Sequence, residues 1–378
     1  MKKPIASLAV WLALSSGAAF GQSVLTPVAT TSHKGSLLIF PLITVDPTFA
    51  TDTVIQISSD SPASAVHILC TYVNELNGRV NFGFDMAPNQ TVTWEVGTSN
   101  GNDIAAGAFP VWVGSPSYAN GSVYRGELVC FATDTVASQQ ISFNHLLGTA
   151  TVLSGLPTAS GPSTGPKTAF SYGAWSFVAR DDFGNPTGDG LAVGAPGRLL
   201  LTGGGLGTYD ACPALNTASF MPIGATVGDL TVLDNRMSVV SCNQDLRQDF
   251  ALHPTKLQFT VRTAFEESFD ASWECVNNVE TVRLDAGNSA LTNPSNFYVS
   301  TTKTASARLE AAGVSSDRCS GPTENVGLLG LMISVVGIND QTADQVVAKP
   351  MTTVGSSQGL TNNGQQSGFV YWDPGRNP

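Results

Sequence analysis

From Lys34 onward the chain alternates short apolar runs with turn-forming residues. The runs SLLIFPLITV (36–45), DTVIQIS (52–58), AVHILCTYV (65–73), VNFGFDM (80–86) and TVTWEV (91–96) are rich in Val, Ile, Thr and aromatic residues. Runs of this length and composition, bounded by turn signals, predict β-strands. The turn signals fall at Asp60 to Pro62, Asn77-Gly78, Pro88-Asn89 and Asn100-Gly101. Asn77-Gly78 is the best hairpin candidate, because both residues tolerate the positive φ of a type I′ turn.

Within the run around Cys70, Val66, Ile68, Cys70 and Tyr72 share one face, as do Leu128, Cys130 and Ala132 of a second run. Two inward-facing cysteines on separate strands suit a disulfide across a sandwich core, with Tyr72 standing where such folds carry a tryptophan. Beyond the Gly/Pro/Ser-rich stretch GLPTASGPSTGPKT (155–168), strand-like runs resume. They are AFSYGAWSFVA, RLLLT, KLQFTVRTAF, SWECV, VRL, NFYVST and VGLLGLMISVVGI, while SARLEAAGV (306–314) fits a short helix or a strand. The pattern predicts an all-β chain of two immunoglobulin-like β-sandwich domains joined by a linker. No fixed-period repeat is visible, which argues against a solenoid or propeller.

The first residues have a different character. Met1, Lys2 and Lys3 precede an apolar run from Ile5 to Leu14, and small residues follow up to Ala19, Phe20 and Gly21. This is the layout of a secretory signal peptide. The predicted boundaries are therefore a signal peptide at 1–21, an N-terminal sandwich at 22–155, a linker at 156–168 and a second β-rich domain at 169–350. A tail at 351–378 follows, with a candidate last strand at Phe369 to Trp372. No later apolar stretch is long enough for a transmembrane helix, which needs about 20 residues.

Export would make the cysteines structural. All six, Cys70, Cys130, Cys212, Cys242, Cys275 and Cys319, follow the leader. In an oxidising compartment their even number and wide spacing predict three disulfides. Sequential pairing, Cys70 with Cys130, Cys212 with Cys242 and Cys275 with Cys319, keeps each bridge inside one predicted domain. No CxxC occurs and no histidine stands at ligand spacing from a cysteine, so nothing points to zinc or haem. The net charge of -11 argues against nucleic acid and anionic membrane surfaces as partners.

Candidate chemistry is sparse. GPSTG around Ser163 and GSSQG around Ser357 match G-x-S-x-G, yet neither lies between a strand and a helix as a nucleophile elbow must. Of His33, His67, His145 and His253, His145 in ISFNHLL is the most interesting general-base candidate, although nothing nominates a nucleophile for it. His33 is expected in a flexible leader and His253 in a turn. Of Glu266, Glu267 and Asp270, Glu266 and Asp270 share a strand face, which suits a hard cation or a carboxylate pair, or else a solvated edge. Asp181, Asp182, Asn185 and Asp189 form an oxygen-rich turn that misses EF-hand spacing and leaves a calcium site as the lesser alternative. LLLTGGGLGTYD lacks the spacing of a phosphate-binding loop. Trp94, Trp112, Trp175 and Trp273 would form a carbohydrate platform if exposed together, and core packing otherwise.

Several runs resemble a group of uncharacterised exported proteins of environmental bacteria. They are KGSLLIFPLITV, DTVIQISSD, HILCTYV, APNQTVTW, GELVCFATD with SFNHLLG, SYGAWSFVA, KLQFTVRTAFEESFDASWECV and VGLLGLM. The resemblance implies an exported two-part β protein and no particular chemistry. The sequence thus points to a non-enzymatic, cell-surface, extracellular-matrix or assembly component without a cofactor, partnered by a surface or matrix protein or a glycan. A secreted glycan- or ligand-binding module and a secreted hydrolase are the alternatives.

Overall fold

The structure, a computed structural model, describes residues 27–46, 51–74, 78–98, 101–102, 124–134, 139–155, 167–194, 199–201, 203, 207–227, 230–241, 255–263, 268–276, 278–284, 307–314, 327–338, 342–350 and 352–356. Among these residues there is no helix, and so none long and apolar enough to cross a membrane. The strands of the first half are β1 (Leu37–Val45), β2 (Asp52–Ser59), β3 (Val66–Asn74), β4 (Arg79–Met86), β5 (Thr91–Glu95), β6 (Gly101–Asn102), β7 (Tyr124–Thr133), β8 (Leu146–Gly155), β9 (Lys167–Gly173), β10 (Trp175–Phe177) and β11 (Ala179–Arg180). Those of the second half are β12 (Thr208–Tyr209), β13 (Pro213–Phe220), β14 (Thr226–Val227), β15 (Leu230–Ser241), β16 (Thr255–Thr263), β17 (Ser268–Val276), β18 (Val279–Arg283), β19 (Ala307–Val314), β20 (Leu328–Ile338), β21 (Thr342–Pro350) and β22 (Thr352–Ser356).

All the strands but β11 and β12, which pair with each other, make four five-stranded sheets, ordered β10-β1-β7-β3-β4, β6-β5-β2-β8-β9, β17-β16-β19-β13-β22, and β14-β15-β20-β21 with β18 also on β15. The sheets are disposed as the four blades of a propeller. This corrects the expected pair of immunoglobulin-like sandwiches; residues 156–166 of the expected linker lie outside the described residues. It also overturns the argument against a propeller from the missing repeat. A blade made of consecutive strands would print a period on the sequence, whereas here β1 pairs with β7 and β10, and β2 with β5 and β8. Strands drawn from distant segments leave no period to find.

Apolar cores join the blades face to face. One packs Phe40, Ile55, Ile68, Tyr72, Trp94 and Leu146 from the first two sheets, and it also takes in Leu331 and Ile333 of β20. A second packs Met237, Phe259, Leu309 and Leu328 from the last two. The third unites the halves, setting Leu37, Ile39, Phe131, Trp175 and Phe177 with Tyr209, Val240, Val279 and Leu329. Burial on both sides explains why β1 and β20 read as nearly continuous apolar runs. By contrast β16 alternates, with Leu257, Phe259 and Val261 buried and Gln258 and Arg262 exposed. Likewise β19 resolves SARLEAAGV as a strand, with Leu309 and Ala311 inward.

Local chemistry sets the joints. Pro41 cannot donate to a ladder, and the β1–β7 register shifts between Phe40 and Ile43. The main chain freed there is recaptured by side chains: Ser238 Oγ donates to Pro41 O at 3.0 Å, and the Tyr172 hydroxyl donates to Leu42 O. The β3–β4 hairpin closes on Asn74 and Gly78, whose Asn74 N–H to Gly78 O bond is 3.0 Å. Gly78 is thereby a closing residue of the hairpin, and Asn77 of the expected Asn77-Gly78 turn lies outside the described residues. Asn89 takes φ 54° in the turn between β4 and β5, where the sequence places one.

Cys70 and Cys130 are bridged, as expected, but not across a core. They stand opposite one another on the neighbouring strands β3 and β7, with Cα atoms 4.1 Å apart. That separation belongs to the narrow, non-hydrogen-bonded pairs of an antiparallel ladder. Cys212 and Cys275 are disulfide-bonded too, and Cys242 and Cys319 lie outside the described residues.

Candidate functional site

The register of one strand pair builds the most concentrated polar cluster. In the β2–β8 ladder Ser59 faces Leu146, so the next residues out, Asp60 and His145, meet at the end of the second sheet. Asp60 N–H donates to His145 O at 3.2 Å, and the side chains join as well, with His145 Nδ1 2.9 Å from Asp60 Oδ1. The second carboxylate oxygen of Asp60 holds the Lys34 ammonium. Lys34 foremost keeps the Asp60 carboxyl below the usual carboxylate range; burial, next in size, opposes it, and His145 adds a lesser lowering.

The segment 181–191 closes the cluster from the other side. Gly190 N–H donates to Ser142 O and Ser142 N–H to Leu191 O, both at 2.8 Å. This brings Asp189 Oδ2 to 3.4 Å from His145 Nε2. The imidazole is thus bracketed by two carboxylates while its ring leans on Phe143, centroids 5.1 Å apart. Ser142, the nearest hydroxyl in sequence, donates Oγ–H to Gly188 O and accepts the Leu191 N–H. Such a histidine ties three segments together, its own and those of Asp60 and Asp189. Among the described residues no hydroxyl is hydrogen-bonded to either nitrogen, as one would be to a base poised to activate a nucleophile.

The oxygen-rich turn 181–189 is divided between two tasks. Asp181 Oδ1 accepts the N–H groups of Asn185 at 2.8 Å and Phe183 at 2.9 Å. Those backbone bonds, Asn185 first, lower the Asp181 pKa. Asp189 meanwhile turns to His145. Among the described residues no group of three or more His, Cys, Asp or Glu side chains is placed to hold a metal ion. Asn144 anchors the base of the turn, donating from Nδ2 to Ala179 O and Thr187 O. Phe183 stands 81% exposed at its tip, and Leu191 and Leu147 flank the cluster at 51% and 44%.

The other candidates scatter. His33 is not in a loose leader: Nδ1 lies 3.0 Å from Thr30 Oγ1 and Nε2 3.3 Å from Asp210 Oδ2. Asp210, fully buried, also accepts Val178 N–H at 3.0 Å and Arg180 Nε at 2.7 Å. His67 Nδ1 meets Asp85 Oδ1 across β3–β4 at 2.7 Å. Trp94 and Trp175 are each 1% exposed, which removes both from any carbohydrate platform. Trp94 Nε1 donates to the Tyr72 hydroxyl at 2.7 Å and meets Phe82 and Phe84 edge-on. Asp270 is exposed on β17 and accepts Thr260 Oγ1 at 2.6 Å. Ser163, Ser357, His253, Glu266, Glu267, Trp112 and Phe369 to Trp372 lie outside the described residues, as does the side chain of Trp273.

Sequence reasoning singled out His145 and Asp189 separately but missed Lys34, Asp60, Leu147, Phe183 and Leu191 as their neighbours. The only signal was the shared register of β2 and β8, which no local pattern displays. No protein-family model matches the chain, and no curated protein matches it.

Proposed function

We propose that the chain is an exported, non-enzymatic protein that works as a cell-surface, extracellular-matrix or assembly component. The observation that carries this reading is the state of its reactive side chains. The described cysteines are bridged, and the histidine best suited to act as a base faces a carboxylate at each nitrogen. Thiols held as disulfides fit an oxidising compartment. A β-rich molecule with few charged side chains, 12% of the chain, fits a scaffold that presents surfaces. The glycan-platform alternative loses two of its four tryptophans to the core.

Fractionation of producing cells, with non-reducing mass spectrometry of the recovered protein, tests the proposal. A processed chain with no free thiol in the surface or matrix fraction is the expected result. Recovery from the cytosol with reduced cysteines, or release as a soluble monomer without surface association, would overturn it.

A further inference from the structure

The three large apolar side chains that stand exposed among the described residues, Leu147, Phe183 and Leu191, belong to two segments lying side by side. The bonds of Ser142 with Gly190 and Leu191, and of Asn144 with Ala179 and Thr187, stitch 141–147 to 179–191. Leu147 lies two residues beyond His145 near the start of β8, and Leu191 two residues beyond Asp189, the carboxylate that His145 meets. Phe183 projects from the turn whose base Asn144 holds. A fully apolar contact here would bury charge, because Asp60, Asp181, Asp182 and Asp189 share these segments or touch them. Lys34, already engaged by Asp60, is the cation among them, while Arg180 is turned inward onto Asp210.

We propose that this face is a docking surface for a partner protein segment in which lysines or arginines alternate with apolar residues. The apolar members would cover Phe183 and Leu191, and the cations would meet Asp181, Asp182 and Asp189. Charge complementarity selects this occupant. A second copy of the chain would bring the same carboxylates against themselves, on a molecule that already carries a net charge of -11. The inference rests on the reading of the chain as an assembly component and names the chemistry of its partner.

A synthetic peptide of alternating lysine and leucine, with a matched glutamate–leucine peptide as control, probes the full chain by fluorescence anisotropy. The cationic peptide is expected to bind and the acidic one not. The double variant Phe183→Ser/Leu191→Ser keeps every charge and changes only exposed side chains, so it should fold, and it should weaken binding by roughly tenfold or more. Carbodiimide cross-linking should join the peptide's lysines to Asp181, Asp182 or Asp189. Equal binding by the double variant, or cross-links confined to other carboxylates, would overturn the inference. Cell fractionation stands apart from this readout, so surface association that persists beside a failed peptide experiment removes the docking inference alone.

Discussion

Two buried tyrosines make opposite forecasts. Burial raises the pKa of Tyr72 and of Tyr209, so both are neutral phenols in the folded chain. Tyr72 accepts the Trp94 indole N–H inside the first core, whereas the Tyr209 hydroxyl, in the third, has no hydrogen-bond partner among the described residues. Tyr72→Phe should therefore strand a buried donor and cost about 1–3 kcal/mol in denaturant unfolding. Tyr209→Phe removes an unsatisfied hydroxyl and should leave stability unchanged or raise it by up to about 1 kcal/mol. Asp60 supplies a pH forecast. Its carboxyl titrates below its unfolded value, so its stabilising effect is fully present above the unfolded pKa of about 4 and disappears as pH falls through the lower folded value. Acid unfolding of wild type and Asp60→Asn should differ above pH 4 and converge below that folded value; curves that stay parallel throughout would refute the linkage. These residues differ in how far sequence reveals them. Tyr72 declares its inward face through the alternation of its own strand, while Asp60 and His145 stand 85 residues apart and meet only through the β2–β8 register.

At the scale of elements, the Cys70–Cys130 bridge reinforces a ladder that backbone hydrogen bonds already hold. It closes a 60-residue separation, for which chain entropy predicts at most about 4 kcal/mol of stabilisation. The Cys70→Ala/Cys130→Ala variant should show that loss, or less, in guanidinium unfolding. Strand registers also forecast the remaining bridges. Ser241 faces Leu328, and a Cβ on Gly327 would lie 2.6 Å from Cys212 Cβ, which puts the end of β15 beside Cys212. Thr255 faces Val276 and Lys256 faces Val314, which puts the end of β19 beside Cys275. Non-reducing peptide maps should therefore join Cys212 to Cys242 and Cys275 to Cys319; crossed pairs would contradict the registers. Individual strands were legible because period-two alternation and two-sided burial are local signals. Their assembly into blades was not, because β1 meets β7 and β13 meets β19 and β22 through contacts that no neighbouring residues announce.

At the scale of the molecule, the third core makes the halves interdependent. Leu37, Ile39, Phe131, Trp175 and Phe177 are shielded with the help of residues from β12, β15, β18 and β20, and Asn278 Nδ2 reaches Asn74 O at 3.3 Å. Calorimetry should accordingly show one cooperative transition. A fragment ending at residue 180 would expose that face and should aggregate or dimerise. Two resolved transitions, or a stable monomeric fragment, would contradict this.

The seat of His33 bears on the order of events during synthesis. Val28 bridges to Ala211, Thr30 bonds with Ser176, and His33 rests on Asp210. An early stretch of chain is thereby lodged among residues made much later. While a chain threads out of a ribosome or a translocation pore from its amino end, that stretch has no berth until residue 211 has emerged. It stays undocked until then, so its seating reports that the chain has been made at least as far as residue 211.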